Sequence, residues 1–414
     1  MKATKSLVPP VRAANKCSIK HKGTVMLTDT DLRALTQFRH HLHQHPEVSG
    51  QEAWTAAQVV AALEPLAGHR VITALGGHGV AAVFEGQDPG PTVMFRSELD
   101  ALPITEISDA DHRSRIPGKG HLCGHDGHTT ILLGLARLIA RRKPLRGRIV
   151  LMFQPAEEDG SGAAAVLADP RFAQIKPDLG FALHNMPGYP LGHAIIAPGP
   201  ASCASEGLRV VFGGKTSHAS MPEKGISPAL ALAELMPAAL AAGQGGTLGP
   251  GYRLVSICHA SMGEPAFGIT PGAGALWLTL RTLVDADMEA LRTEVMATAR
   301  HLAQKHHLSV TFSHHDRFAA CTNHPQATAA ITDALDDLGL SRDSVGLPMR
   351  ASEDFGQFGH HAKTAMFLLG AGQDCASLHN PDYDFPDALI PTGVAIFDRI
   401  RTDLLGVAPE PATG

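Results

Sequence analysis

The chain has 414 residues, 44% of them hydrophobic, with 35 basic against 40 acidic side chains and a formal net charge of -5. That length exceeds what one typical core serves, so two domains are expected, and the composition is that of an ordinary globular protein rather than a disordered one. No long run of either charge sign occurs, which argues against a nucleic-acid footprint or an anionic-membrane patch and leaves a small molecule as the expected partner.

The first 28 residues carry Lys and Arg but no apolar run of signal-peptide length, and no window approaches 18 consecutive apolar residues. A cytoplasmic, non-membrane protein is expected, with residues 1–27 as a loose tail. Thr28 and Asp31 then form a capping-box-like start, and Leu32, Leu35, Phe38 and Leu42 recur at helical spacing until Pro46 stops the run. A helix over 56–66 follows, then strands over 80–84 and 92–95, a helix over 128–142, and strands over 148–153 and 179–183. Gly77-His78-Gly79 resembles part of a dinucleotide fingerprint, but a strand-like run follows it, so a hairpin turn is the better reading. Strands alternating with helices predict an α/β domain with a largely buried central sheet flanked by helices.

After about residue 203 the rhythm becomes strand 208–212, helix 228–242, strands 253–259 and 275–283, helix 286–307 and strand 309–313. This β-α-β-β-α-β order predicts a ferredoxin-like satellite domain, inserted over 204–317. From 318 the α/β pattern resumes, with a helix over 327–338, a loop at Ser352-Glu353-Asp354-Phe355, a strand over 364–369 and a helix over 392–405. The catalytic domain is therefore expected to be discontinuous, over 28–203 and 318–414.

The chemistry concentrates in His121-Leu122-Cys123-Gly124-His125-Asp126-Gly127-His128 and in Glu157-Glu158 downstream. Thiolate, imidazole and carboxylate hold divalent transition metals, and an adjacent unligated Glu can serve as the base for an activated water. Cys123 and His125 are expected just before a helix, Glu157 and Glu158 after one strand, and His184 after another. Loops at the carboxyl ends of strands converge on one crevice in an open α/β sheet. Consecutive Glu157 and Glu158 should diverge, one ligating and one facing water, and their spacing does not say which. Taken singly, each residue has a blander reading: Cys123 as an inert buried thiol, the glutamates as a solvated pair, Asp126 as a turn cap. The six cysteines are widely scattered and are read as reduced.

These strings occur together with Phe95-Arg96-Ser97-Glu98-Leu99-Asp100-Ala101-Leu102-Pro103, Phe153-Gln154-Pro155-Ala156-Glu157-Glu158, Leu183-His184-Asn185, Ser217-His218-Ala219-Ser220-Met221-Pro222, Ser352-Glu353-Asp354-Phe355 and Leu378-His379-Asn380-Pro381. In that order they resemble the aminoacylase/carboxypeptidase metallopeptidase family over roughly residues 30–400. The nearest branch is the amidohydrolases that include hippurate hydrolase and indole-acetyl-amino-acid hydrolases. The resemblance implies a centre of one or two divalent ions held by Cys123, His125, Glu158, His184 and His379, with Glu157 as general base and Asp100 and Asp126 orienting ligands. It also implies a homodimer in which His218 of the satellite domain reaches the neighbouring subunit's site and stabilises an oxyanion.

The sequence departs from that branch in three places. Glu98 stands where Asp is usual, Gly268 where Asn commonly contacts substrate or oxyanion, and Gly272 where Asp is usual. Arg281 has the right chemistry to grip a substrate carboxylate, although an outward-facing surface Arg fits the pattern equally.

The expected reaction is hydrolysis of the C–N amide bond of an N-acyl amino acid or related small amide. The alternatives are another C–N bond, in an activated amine or cyclic amide, or a non-catalytic metal-binding protein. No Gly-x-Ser-x-Gly occurs, which disfavours a serine hydrolase, and the Pro-Cys-x-x-Cys element of zinc deaminases is absent. Ligand softness favours zinc, with manganese, cobalt or nickel also suited to the set.

Overall fold

The computed structural model describes residues 26–66 and 69–408. Apart from its last two residues, the expected tail lies outside that range. The chain opens with α1 (Asp29–His43) and α2 (Ala53–Leu63), followed by β1 (His69–Leu75), β2 (Gly79–Glu85), β3 (Asp88–Glu98), α3 (His125–Arg141), β4 (Arg146–Gln154), α4 (Gly162–Ala168) and β5 (Leu179–Met186). Short strands β6 (Ala194–Ile195) and β7 (Gly199–Ser202) lead to β8 (Ala204–Gly213), β9 (Ser217–His218), α5 (Ala229–Ala242), β10 (Arg253–Met262), β11 (Ile269–Thr270), β12 (Ala273–Thr282), α6 (Asp285–Lys305) and β13 (Ser309–Phe318). The last elements are β14 (Cys321–Asn323), α7 (Pro325–Asp337), β15 (Arg342–Asp343), β16 (Lys363–Gly370) and α8 (Leu389–Leu405).

The α1 start follows from local chemistry. The Thr28 side chain accepts from the Asp31 backbone N–H while the Asp31 carboxylate accepts from the Thr28 N–H, a reciprocal cap that satisfies two otherwise orphaned donors. Gly77 and His78 form the turn of the β1–β2 hairpin, in place of any nucleotide loop.

Eight strands make the main sheet, in the order β1-β2-β4-β3-β5-β16-β6-β15. Pairing is parallel through β4, β3, β5 and β16 and antiparallel towards β1. Both faces are covered, and alternate residues of one strand enter different cores. Ile149, Leu151 and Phe153 pack with α3 and α8 residues, whereas Val150 and Met152 pack with α4 residues and Phe355. Burial on both sides is why these strands read as continuous apolar runs.

Strands β10, β12, β8 and β13 form a second, wholly antiparallel sheet in that order. Numbered along the chain from β8, the order is 4-1-3-2, the ferredoxin-like arrangement. Leu208, Val210, Phe212, Leu276, Leu278 and Leu280 face α5 and α6 and share a separate core with them. Odd-numbered residues of β8 and β12 therefore face away from the helices.

Element boundaries move two expected positions. Helix α3 begins at His125 rather than 128, because Gly124 adopts a left-handed φ of 93° that turns the chain directly into the helix. Strand β5 runs on to Met186, so His184 lies within a strand and not after it. Strand β1 and helix α4 were not legible in the sequence pattern. No helix among the described residues is long and apolar enough to cross a membrane.

Candidate metal centre

Four segments bring their side chains to one place at the carboxyl edge of the main sheet: the Cys123–His125 turn into α3, the Glu157-Glu158 loop after β4, His184 in β5, and the loop bearing His379. Cys123 Sγ lies 3.5 Å from His184 Nε2. His125 Nε2 is 3.8 Å from Glu157 Oε2 and 3.8 Å from Glu158 Oε1. His379 Nε2 is 3.6 Å from Glu158 Oε2. Ligand atoms bonded at about 2.0–2.3 Å to one tetrahedral ion stand roughly 3.5 Å apart, so these are the separations of ligands sharing an ion. Cys123, His125 and His184 form one close group, and Cys123, Glu158 and His379 form another.

Whether the residues fit a cation is tested by their unsatisfied atoms. His125 Nε2 and Glu158 Oε1 are buried without a protein hydrogen-bond partner, facing each other. An unpartnered buried polar atom costs about 1–3 kcal/mol, and a cation between the two would satisfy both. The other ring nitrogens are already committed: His125 Nδ1 donates to the Asp100 carbonyl oxygen at 2.9 Å and His184 Nδ1 to the Asn185 carbonyl oxygen at 2.8 Å. Each carbonyl takes the Nδ1 proton, so that Nε2 is the nitrogen that faces the ion, a lone-pair donor when the ring is neutral. The donor set and its supports fit a divalent metal.

The electrostatics are those of a cluster with too much negative charge for its burial. Burial raises the Cys123 thiol well above its usual range, and Glu158 and Glu157 add to it. Burial, then the charges of Glu353, Glu158 and Asp354, push the Glu157 carboxyl well above ordinary values. Burial also carries Glu158 up to about 7. His184 falls to about 3 because it is buried beside His128, so its ring is neutral as a ligand must be. His125 goes the other way: burial opposes its charge, but Asp100, Glu98 and Glu158 hold it up to about 10.

Asp100 touches the cluster through both its backbone and its side chain. Its carbonyl holds His125, and its carboxylate accepts from the Glu158 N–H and the Ser49 hydroxyl. Asp126 does not support a ligand ring; its carboxylate turns to Arg39 and His43, tying the start of α3 to α1. His218 and Gly268 stand outside the cluster. They share the β9–β11 ribbon of the satellite sheet region, where the Ala219 N–H donates to the Gly268 carbonyl, and His218 is exposed. Arg281 lines the cavity beside the cluster, donating to the Ser352 hydroxyl and the Arg350 carbonyl. That cavity, of about 360 Å³, holds Cys123, Glu157, Glu158, His184 and His379 in its wall, within the range of small-molecule sites.

Sequence reading missed a second buried network. His128 is held between Glu98 at 2.7 Å and the Asn185 side chain at 2.6 Å, so neither of its nitrogens is free for an ion. Asn185 in turn donates to the Tyr383 hydroxyl. Arg96, fully buried, donates to Glu98, Gln154 and Asp354 and pairs with Glu353. A charged residue inside an apolar strand was the available signal for Arg96; nothing near Tyr383 marked it.

Residues 94–402 match the profile of peptidase family M20/M25/M40. The chain is 28% identical over 371 residues to hippurate hydrolase of Campylobacter jejuni, covering 89% of this chain and 96% of that one. It is 28% identical over 374 residues to N-acetyl-L-cysteine deacetylase of Bacillus subtilis, covering 90% and 88%. Among solved structures, a dinuclear metal-binding M20 peptidase from Bacillus subtilis superposes with a TM-score of 0.77 at 23% identity, covering 92% of this chain and all of that one. The protein belongs to peptidase family M20/M25/M40.

Proposed function

We propose that this protein is a metal-dependent amidohydrolase that cleaves the C–N amide bond of N-acyl amino acids or closely related small amides. The observation that carries this reading is the five-donor cluster, with buried His125 Nε2 and Glu158 Oε1 left for a cation and a carboxylate, Glu157, beside it. Cys123, His125, Glu158, His184 and His379 hold one or two divalent ions, with Cys123 common to both close groups. Zinc suits the soft thiolate best, and manganese, cobalt or nickel also fit the set. When bound, the metal polarises the amide carbonyl and makes water a stronger acid.

Glu157 takes a proton from the attacking water and passes it to the leaving amine, one carboxyl serving first as base and then as acid. Its burial among other carboxylates suits it to hold that proton between the two transfers. Asp100 keeps the His125 ring in place throughout. Arg281 meets the substrate carboxylate at the cavity wall. His218 acts across a homodimer, donating to the oxygen on which charge develops, and residues 204–317 supply the dimerising body while 28–203 and 318–414 supply the metal-binding one. The cytoplasm is the compartment consistent with the free cysteines among the described residues.

The test is turnover of acetyl, benzoyl, indole-acetyl and long-acyl amino acids by metal-reconstituted protein, beside Glu157→Gln. Release of free amino acid that falls by about 10²- to 10⁴-fold in the variant, with metal content unchanged, is expected. Near-normal turnover by Glu157→Gln would remove the assigned role.

A further inference from the structure

Consecutive side chains on a strand diverge, yet Glu157 and Glu158 both come within 3.8 Å of the same atom, His125 Nε2. They do so because β4 ends at Gln154 and residues 157–160 form a turn, in which the Gly160 N–H donates to the Glu157 carbonyl at 2.8 Å. Ala156 is the entry to that turn, and it takes a left-handed φ of 49°. That conformation is unfavourable for a residue with a Cβ, and residues in it persist only where their surroundings hold them. What holds Ala156 therefore sets where both acids point.

Two carboxyl groups from distant parts of the chain bracket Glu157. After it, the Glu158 N–H donates to Asp100 Oδ2 at 2.9 Å. Before it, the Ala156 N–H donates to Glu52 Oε1 at 2.8 Å. Glu52 stands at the head of α2 and is fully buried, and its Oε1 also accepts from the Gly50 N–H at 2.9 Å, which turns the side chain back over its own loop. That loop is docked on the end of β3: the Ala101 N–H donates to the Glu47 carbonyl at 2.8 Å and the Ser49 hydroxyl to Asp100 Oδ2 at 2.7 Å. One loop thus backs both clamps.

The other side of the turn is fixed by packing. The Gly162 N–H donates to the Ala156 carbonyl at 2.9 Å, and a Cβ on Gly162 would lie 1.7 Å from the Pro155 carbonyl oxygen. These contacts hold the Ala156 carbonyl and leave its N–H to Glu52. The second oxygen of Glu52, Oε2, is buried without a hydrogen-bond partner among the described residues. An orphaned buried oxygen is destabilising, and an apolar residue at the head of α2 would avoid it. The carboxyl therefore contributes through the oxygen that reaches Ala156.

We propose that Glu52 is a positioning residue for the general base: by holding the Ala156 N–H it keeps the left-handed entry to the turn, and with it the place of the Glu157 carboxyl beside the ligand cluster. The inference rests on the amidohydrolase reading above for the role of Glu157. Glu52 itself lies outside the ligand cluster and acts through the backbone. Glu158 has its own clamp in Asp100, so releasing Glu52 disturbs the base more than the ion.

The experiment compares wild type with Glu52→Asp, which keeps the carboxyl but is one methylene shorter, Glu52→Met, which removes the acceptor, and Glu52→Gln, which retains it. For each zinc-loaded protein the metal content, the urea midpoint and the crystal structure are determined. Values of kcat and KM are measured on whichever of the acetyl, benzoyl, indole-acetyl and long-acyl amino acids wild type turns over fastest. In Glu52→Asp and Glu52→Met, Ala156 should relax to negative φ and Glu157 should shift. There kcat should fall by roughly 10²-fold, the scale of a misplacement of about 1 Å, with zinc content and KM near wild type. Glu52→Gln should regain most of what Glu52→Met loses. Adding Ala156→Gly to Glu52→Asp should restore part of kcat, because glycine takes positive φ readily. A fall in urea midpoint with kcat unchanged per zinc-loaded molecule would make Glu52 merely structural and overturn the proposal. An unmoved Glu157 in both Glu52→Asp and Glu52→Met overturns it whatever turnover does. If wild type hydrolyses none of the four compounds while Ala156 and Glu157 shift in Glu52→Asp, the amidohydrolase reading falls and the Glu52 clamp is upheld.

Discussion

Cys123 Sγ and His184 Nε2 face each other at 3.5 Å, with the proton of the imidazole committed to the opposite nitrogen by the Asn185 carbonyl. Thiol and lone pair are therefore aimed at common space, where the thiol also meets the Glu158 carboxylate. In the metal-free site three of the five ligand positions favour their protons, His125 raised to about 10, Glu158 to about 7 and the Cys123 thiol raised as well, whereas His184 is lowered to about 3.

Loading the metal should accordingly release protons, and affinity should fall as pH falls, because each of these three groups must deprotonate to ligate. Titration calorimetry in buffers of different ionisation enthalpy counts the protons directly. Cys123→Ala is expected to weaken zinc binding by roughly a hundredfold or more, beyond the 10- to 100-fold that loss of a supporting partner costs. Zinc at 100 times its Kd should stabilise wild type by about 2.7 kcal/mol and leave Cys123→Ala almost unmoved. Equal zinc-induced shifts in the two proteins would remove Cys123 from the ligand set.

How far the site could be read from the sequence depends on the range of the forces involved. Cys123, His125 and the glutamate pair are marked by residue type within short strings, and the α1 cap is a local exchange of hydrogen bonds, so both were legible. His379 is different. It joins Glu158 only because the main sheet places the 378–380 loop over the β4 end, and no local pattern reports that. The start of α3 at His125 was missed because a glycine cap with left-handed φ reads in sequence as loop. The register slip between His315 and Phe318 of β13, where Asp316 is left-handed, is equally silent, since the His314–Arg317 stretch carries no glycine or proline to announce it. The ligand-orienting role for Asp126 came from the family resemblance alone, and its carboxylate is turned towards Arg39 and His43.

Arg96 pairs at once with Glu98, Glu353 and Asp354, all buried. Replacing it by Met keeps the volume roughly and takes the guanidinium away from all three carboxyl groups, of which Glu98 still meets His128. Breaking a buried ion cluster from one side typically costs about 3–5 kcal/mol. Arg96→Met should lower the urea midpoint correspondingly even in metal-loaded protein. A variant as stable as wild type would mean that these carboxyls are protonated in the native state and do not need the guanidinium.

The His43–Asp126 contact makes a prediction about pH. Burial opposes a charged ring at His43, but the hydrogen bond and charge of Asp126, helped by Glu106, hold it up to about 9. A histidine raised in the folded state contributes stability that is complete below its unfolded value of about 6.5 and disappears as pH rises through 9. Wild type should therefore lose up to about 3 kcal/mol more than His43→Gln between pH 6 and pH 9.5, measured by urea unfolding of the metal-free proteins. Parallel stability curves for the two would show that His43 is neutral throughout.

The His218 side chain is exposed and, among the described residues, hydrogen-bonds only to Ser220, through Nδ1 to its hydroxyl at 2.7 Å and to its N–H. Such a position explains an oxyanion donor only if the site it serves belongs to another copy. His218→Ala is expected to lose about 10²- to 10³-fold in kcat while retaining metal, as for removal of one such donor. Glu157→Gln should also be inactive, for the unrelated reason that it lacks its base. If the protein is the proposed homodimer, half of the dimers should be hybrids when the two inactive proteins are unfolded together and refolded. Each hybrid contains one site with an intact Glu157 and an intact His218 from different chains. Activity should return to about a quarter of wild type, the share set by random pairing in a two-fold dimer. If each chain used its own His218, every site in the mixture would still lack one of the two groups and no activity would appear, so the recovery decides between service in cis and service in trans.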